Sequence, residues 1–167
     1  MKESMQMQCS DCGQRCNPES LNFIDDKQIC LKCLYGDAKP LTIRPIGYVV
    51  NDKKRNSKGF GTTGSDISMI KLFSGMARFM KGLAQESHLT VLWQLHEQKP
   101  IKTVFARGWD GKQVGPFASR TPDRLTPIAV TDVELLKVEG TALVVRGLDA
   151  INKTPVLDIK VATQSLK

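Results

Sequence analysis

The chain reads as mainly β: a compact single-sheet β-barrel with one short helix, preceded by a small cysteine-rich module. Three observations carry that expectation. Apolar runs of strand length recur along the sequence, about eight of them, with a single segment of helical periodicity. The strands are not separated by helices, which disfavours a doubly wound parallel sheet, and no glycine-rich dinucleotide fingerprint follows a strand. All five cysteines fall within the first 33 of 167 residues, which sets that stretch apart.

The module comes first. Cys9 and Cys12 form one Cys-x-x-Cys pair, Cys30 and Cys33 a second, with seventeen residues between the pairs. That is the spacing of a four-thiolate zinc site, in which each pair closes a tight turn and aims two sulfurs at one ion. Gly13 supplies the backbone freedom such a knuckle uses. The segment LNFIDDKQIC reads as a hairpin: Leu21, Phe23 and Ile24, a polar Asp25-Asp26 turn, then Ile29 running into Cys30. An odd cysteine count argues against a disulfide framework. Redox pairs or an iron–sulfur cluster are the competing uses of the four thiols. Cys16 is the spare, or a substitute for Cys12. About forty residues bury little core, so a structural zinc would supply most of the folding free energy of this zinc-ribbon-like module, residues 1–39. Four thiolates leave the ion no open position for catalysis.

Residues 36–40 read as a linker to a second domain, residues 41–163. Residues 41–50 read as its first strand. Residues 51–64 (NDKKRNSKGFGTTG) hold four basic residues and three glycines, and read as a polar loop that is either a solvated connection or an RNA-facing lid. Residues 65–73 read as a strand. Residues 74–85 follow as an amphipathic helix, with Met76, Phe79, Met80 and Leu83 on one face and Ser74 as N-cap. Further strands are expected over residues 87–96, 101–107, 113–119, 128–138, 142–148 and 156–161. Closing such a sheet into a barrel removes its exposed edges. Trp93 alternates with apolar neighbours and reads as core. Trp109, beside Gly108 and Asp110, reads as a loop residue able to stack on a base.

The formal net charge is +7. Residues 1–39 hold five Lys/Arg against six Asp/Glu, whereas the remainder holds 19 against 11. The second domain therefore carries the basic character, which suits a polyanionic partner such as RNA or simply a solubilising surface. Zinc with four thiolates adds a formal −2 to the module, so contact with a protein partner, or orientation of the barrel, is a better expectation for it than RNA binding. No apolar run approaches transmembrane length and the N-terminus lacks a signal-peptide pattern, so a soluble, cytoplasmic protein with no membrane association is expected.

Residues 115–130 (GPFASRTPDRLTPIAV) place Arg120 and Arg124 in a segment where Pro116, Pro122 and Pro127 deny the backbone a helix. Two guanidiniums held in a proline-stiffened loop suggest a grip on an anion or electron-rich ligand. This stretch resembles the signature loop of the TrmO tRNA methyltransferase family, also called TsaA-like or VirR-like. Three more pieces agree in family order: RPIGYVV (residues 44–50), KGLAQESHLTVLWQLHE (81–97) and GLDAINKTPVLDIK (147–160).

The resemblance implies a single-sheet β-barrel methyltransferase, usually a homodimer, that uses S-adenosylmethionine to methylate N6 of threonylcarbamoyl-adenosine beside the anticodon of tRNA. The donor is already activated, so in-line placement against the nitrogen lowers the barrier most, and the pocket must also receive the proton that nitrogen loses. By resemblance the cofactor contacts fall at His96, Glu97, Arg120, Val130, Val145, Arg146, Gly147 and Leu148, several of them through backbone groups; a hydrogen-bonded structural role is the alternative for His96, and surface salt bridges are the alternative for Arg120 and Arg124. Arg124 is assigned to an RNA phosphate or the substrate carboxylate. Asp158 is the candidate general base, or else a structural carboxylate buried against an Arg or Lys. His88 is assigned an architectural role, and Asp149 that of a turn residue.

The chain departs from the family pattern in places. Thr126 and Ala129 stand where the signature usually has asparagine and glycine. Val161-Ala162 replaces the usual Pro-Tyr, the Pro-Arg-Gln motif expected after the first strand is absent, and Glu97 stands where some members have glutamine. These departures keep a second expectation open: a non-catalytic RNA- or S-adenosylmethionine-binding module tethered to partners by its zinc ribbon.

Overall fold

The computed structural model describes residues 6–55, 62–97 and 99–162. Along the chain run β1 (Met7–Gln8), β2 (Arg15–Cys16), a 3-10 turn (Pro18–Ser20), β3 (Leu21–Ile24), β4 (Lys27–Cys30), α1 (Leu31–Tyr35), β5 (Gly47–Val50), β6 (Lys54–Arg55), β7 (Thr62–Thr63) and β8 (Ile67–Leu72). Two 3-10 turns (Ser74–Phe79 and Leu83–Gln85) lead to β9 (His88–Gln94), β10 (Phe105–Ala106), β11 (Gln113–Val114), a further 3-10 turn (Pro116–Ala118), β12 (Ile128–Glu139), β13 (Ala142–Arg146) and β14 (Pro155–Val161). The fold is mainly β with a closed barrel, as the sequence predicts; its short helix, α1, lies in the cysteine module and not at residues 74–85. Its contacts gather into two units, Met1–Thr42 with Glu97–Thr126, and Ile43–His96 with Pro127–Lys167. Residues 97–126, which the sequence division at residue 40 assigns to the barrel domain, thus group by contact with the cysteine module.

The second unit is a barrel closed in the order β12-β13-β8-β5-β14-β9, with antiparallel neighbours throughout. Its strands form because burial alternates with period two. Ser68, Ile70 and Leu72 of β8 and Leu89, Val91 and Trp93 of β9 are buried, while their neighbours face outward. Trp93 is core, as expected, and its indole N–H reaches Thr131 Oγ1 at 3.1 Å, which satisfies its polar end. β12 is long because it serves two partners, β9 along its first half and β13 along its second. A register shift between Leu135 and Lys137 bends it from one to the other. β5 crosses β8 closely: a Cβ on Gly47 would stand 2.5 Å from the Lys71 carbonyl oxygen, so only glycine fits.

Three local expectations are corrected. Residues 74–85 form 3-10 turns, not an amphipathic α-helix, and Phe73 rather than Ser74 holds the N-cap position. Gly82, with φ of +85°, breaks the path between the two turns. The apolar spacing still serves its purpose, because Met76, Met80 and Leu83 pack against the barrel core, though Phe79 is exposed. The runs at 101–107 and 113–119 yield only the two-residue strands β10 and β11, a separate ribbon in the first unit, because Pro116 opens a 3-10 turn. The barrel accordingly has six strands rather than about eight. Finally, residues 51–64 are not all loop. β6 pairs with β7, Lys54 with Thr63 and Arg55 with Thr62; residues 56–61 lie outside those described.

In the first unit, β3 and β4 form the expected hairpin. Its two turn residues, Asp25 and Asp26, have φ of 46° and 61°, the left-handed pair of a two-residue connection. Gly13, after Cys12, also has a positive φ of 72°.

Candidate functional site

The two Cys-x-x-Cys turns meet. The Sγ atoms of Cys9, Cys12, Cys30 and Cys33 all lie within 4.8 Å of one another. Cys9 and Cys33 are 3.9 Å apart, and Cys12 and Cys30 3.8 Å. Four sulfurs bound tetrahedrally at about 2.3 Å would stand about 3.8 Å from each other, so the donor set fits a four-thiolate ion. Backbone N–H groups support the sulfurs: that of Cys30 donates to Cys9 Sγ at 3.3 Å and that of Cys33 to Cys30 Sγ at 3.4 Å. Ser10 and Gln28 clamp the first turn to β4, with Ser10 N–H on the Gln28 carbonyl at 2.7 Å and Gln28 N–H on Ser10 Oγ at 3.2 Å. Donation from the backbone of Cys12, and then of Cys30, pushes the Cys9 thiol down to about 6. Cys33 is pushed up by its bonds to the Cys30 and Cys12 sulfurs. Cys16 stands outside the cluster; its Sγ donates to the Gln14 carbonyl, and burial raises its thiol.

The same unit holds the proline-stiffened loop. Arg120 is exposed, and Arg124 is half-buried with Nη2 donating to the Pro116 carbonyl at 3.3 Å. Side chains tie the loop to itself: Thr121 N–H donates to Ser119 Oγ and Asp123 N–H to Thr121 Oγ1, each at 3.3 Å. Asp123 Oδ1 accepts the Lys99 N–H at 2.8 Å. Glu97 is exposed. Trp109 is exposed too, but one face is covered by the Arg107 guanidinium, 4.5 Å from the ring centre. Arg107 also grips Asp110 and holds its carboxyl below the usual range.

In the barrel, β9 organises several candidates. Val130 of β12 and Asp158 of β14 both lie opposite Leu92 of β9, so the three share one row across the sheet. Inward positions of β9 belong to Leu89, Val91 and Trp93, which puts this row on the outer face. Asp158 follows a register shift in β14, a bulge that re-aims the strand. Its Oδ2 meets Lys160 Nζ at 2.6 Å and its Oδ1 accepts the Ile159 N–H at 2.9 Å, a pairing made at the surface, with the Asp158 side chain 46% exposed. His96 lies two residues past β9 with Nδ1 3.2 Å from Oγ1 of the buried Thr154. His88, at the strand's start, is exposed and lies 3.1 Å from Ser87 Oγ.

Val145 and Leu148 have no exposed surface, backbone included, and Val145 pairs with Leu135 of β12 on one side and Ser68 of β8 on the other. Arg146 points outward and pairs with Glu134 at 2.6 Å. Gly147 N–H donates to the Asp66 carbonyl at 3.1 Å.

Sequence reasoning missed Lys53. It stands in a run of basic residues that reads as solvated, yet it is 7% exposed, and its Nζ donates to the Leu148 carbonyl at 2.7 Å. Beside it, Asn51 Nδ2 donates to Ser68 Oγ at 2.9 Å and to the Ala150 carbonyl at 2.8 Å. Residues 51 and 53 thus pin the turn that follows β13. Lys53→Met leaves the Leu148 carbonyl without this donor and is expected to cost about 1–3 kcal/mol, read by thermal or denaturant unfolding.

With this geometry in hand, the similarities are informative. The sequence model of the tRNA-methyltransferase O N-terminal domain matches residues 55–166, which leaves the cysteine module outside the match. A probable S-adenosyl-L-methionine-binding protein of Methanothermobacter thermautotrophicus is 38% identical over 123 residues, covering 72% of this chain and 88% of that protein. The human tRNA (adenine(37)-N6)-methyltransferase is 36% identical over 93 residues, or 54% of this chain and 21% of that one. A crystal structure of TrmO from Pseudomonas aeruginosa superposes with a TM-score of 0.56 at 23% identity, covering 75% of this chain and 57% of that one, a likeness of fold. Matched over two thirds of its length, the chain belongs to the TrmO family.

Proposed function

We propose that the protein is an S-adenosylmethionine-dependent tRNA methyltransferase that modifies N6 of the adenosine beside the anticodon, with the threonylcarbamoyl form as acceptor. The family match over residues 55–166 carries this reading. It is supported by the names of relatives, an S-adenosyl-L-methionine-binding protein and a tRNA (adenine(37)-N6)-methyltransferase, and by the basic surplus beyond Lys39. The cofactor supplies a methyl group already activated on a sulfonium; the chain has to bind, orient and take up a proton.

In this reading the backbone at Val145, Gly147 and Leu148 contacts the cofactor, which requires the turn held by Lys53 and Asn51 to open, since Val145 and Leu148 have no exposed surface. His96, Glu97, Arg120, Val130 and Arg146 complete the cofactor's contacts. Arg124 takes an RNA phosphate or the acceptor's carboxylate. Asp158 receives the proton, for which it has to exchange Lys160 for the acceptor. Cys9, Cys12, Cys30 and Cys33 hold one structural zinc, supported by their tetrahedral spacing. A cytoplasmic homodimer is part of the proposal, as is a protein partner for the ribbon.

Calorimetry with S-adenosylmethionine, followed by methyl transfer to tRNA with and without threonylcarbamoyl-adenosine, tests it. Arg120→Ala is expected to lower kcat/KM by about 10- to 100-fold, the loss of a charge-assisted contact. Undiminished turnover in Asp158→Ala would move the base elsewhere. Cofactor binding with no transfer to either tRNA would leave a binding module in place of an enzyme.

A further inference from the structure

The cysteine module and the arginine-bearing loop belong to one compact unit, although the whole stretch Ile43–His96 separates them in sequence. Three sets of contacts join them. Ile101 lies parallel to Ile24 along the free edge of β3: its N–H donates to the Phe23 carbonyl at 2.9 Å, and its carbonyl accepts the Asp25 N–H at 2.9 Å. Thr103 then doubles the link, with its N–H on Asp25 Oδ1 at 2.9 Å and its hydroxyl on Oδ2 at 2.5 Å. Alongside, Ile24, Ile29 and Leu34 of the module face Ile101, Phe117 and Leu125 across an apolar cleft of about 370 Å³.

From this seam the contacts run on to Arg124 and its neighbour Asp123. Gly115 sits so close to Thr103 that a Cβ would come within 3.2 Å of its carbonyl oxygen. The next residue, Pro116, accepts Arg124 Nη2, and Lys99, just before the seam, holds Asp123. Residues 99–126 have little regular structure of their own, only β10, β11 and one 3-10 turn. Their order therefore depends on what they are bonded to. The hairpin they are bonded to hangs between the two cysteine pairs and rests on a core of Cys9, Leu21 and Cys30 with Met7 and Cys16 against it. A core that small needs the ion to hold it.

We infer that the metal-bound ribbon is the template for the signature loop: it orders residues 99–126 through β3 and Asp25, so metal occupancy governs whether Arg120 and Arg124 are held in place. Asp25 and Thr103 are positioning residues. The inference rests on the proposed zinc site and not on the proposed methyl transfer.

Hydrogen exchange on the full chain, without cofactor or tRNA, tests it. Stripping the metal with a chelator should speed exchange at Ile101, Thr103 and Asp123 about tenfold or more, while amides of β8 and β9 keep their protection. Thr103→Val, with zinc still bound at one per chain by metal analysis, should speed exchange at Asp123 and Arg124 and leave Cys30 protected. Asp25→Asn, which keeps the turn residue's size and tolerance of a left-handed conformation, should lie between wild type and Thr103→Val. Unchanged exchange over 99–126 after metal removal, or in Thr103→Val, overturns the inference, as does a protein isolated with no metal and a fully protected loop. Because transfer to tRNA is not read, a failure here is distinct from failure of the enzymatic reading.

Discussion

Replacing Cys30 with serine should empty the proposed zinc site and unfold residues 7–35, while the barrel keeps its cooperative transition. Cys30 does several things at once. Its sulfur is one of the four that converge, and it accepts the Cys33 N–H as N-cap of α1. Its side chain is 3% exposed in a core with few other members, and its backbone pairs with Leu21 across the hairpin. Structural zinc contributes about 10–16 kcal/mol of apparent binding free energy in small zinc domains, more than so small an apolar cluster can replace. Metal analysis should fall from one zinc per chain toward none, and exchange should become unprotected across β3 and β4. A Cys30→Ser protein with an ordered hairpin and no zinc would show that apolar packing suffices.

Leu89→Ala should produce the largest loss in the barrel. Leu89 has no exposed surface and sits on β9, which is paired on both sides, with Val133 of β12 and Val161 of β14 opposite it. Truncating a buried leucine costs about 2–5 kcal/mol, from lost transfer energy and the cavity left behind. Set against a typical domain stability of about 5–15 kcal/mol, that is a large share. The melting temperature should fall by about 10 °C or more. Leu136→Ala, at a side chain already 37% exposed on β12, is the control and should cost far less. Because β9 also aligns Val130 with Asp158, cofactor affinity should fall in Leu89→Ala if that row contributes to binding.

What was legible in the sequence follows from what is locally determined. The hairpin of the ribbon was, because two adjacent aspartates between apolar runs accept left-handed geometry, and the cysteine spacing fixes where the two turns must meet. The strands β8, β9, β12, β13 and β14 were legible as apolar runs of strand length. The segment 74–85 misled because helical spacing and a 3-10 path both present Met76, Met80 and Leu83 to one side; only the left-handed Gly82 separates them. The grouping of 97–126 with the ribbon was not legible. It rests on Ile101 pairing with β3 and on Asp25 reaching Thr103, side-chain and edge contacts 78 residues apart that no periodicity records. Lys53 was hidden for a related reason: a basic run looks solvated whichever of its members turns inward.

The first unit's split between Met1–Thr42 and Glu97–Thr126 has a consequence for synthesis. The ribbon leaves the ribosome first and its cysteines can capture an ion at once. Its β3 edge then waits, uncovered, while Ile43–His96 is translated, a delay of several seconds at about 5–20 residues per second. The barrel waits longer still, since β14, made after the other five barrel strands, closes it against β5 and β9. A nascent chain interrupted between these events exposes strand edges, so chaperone dependence should concentrate in that interval.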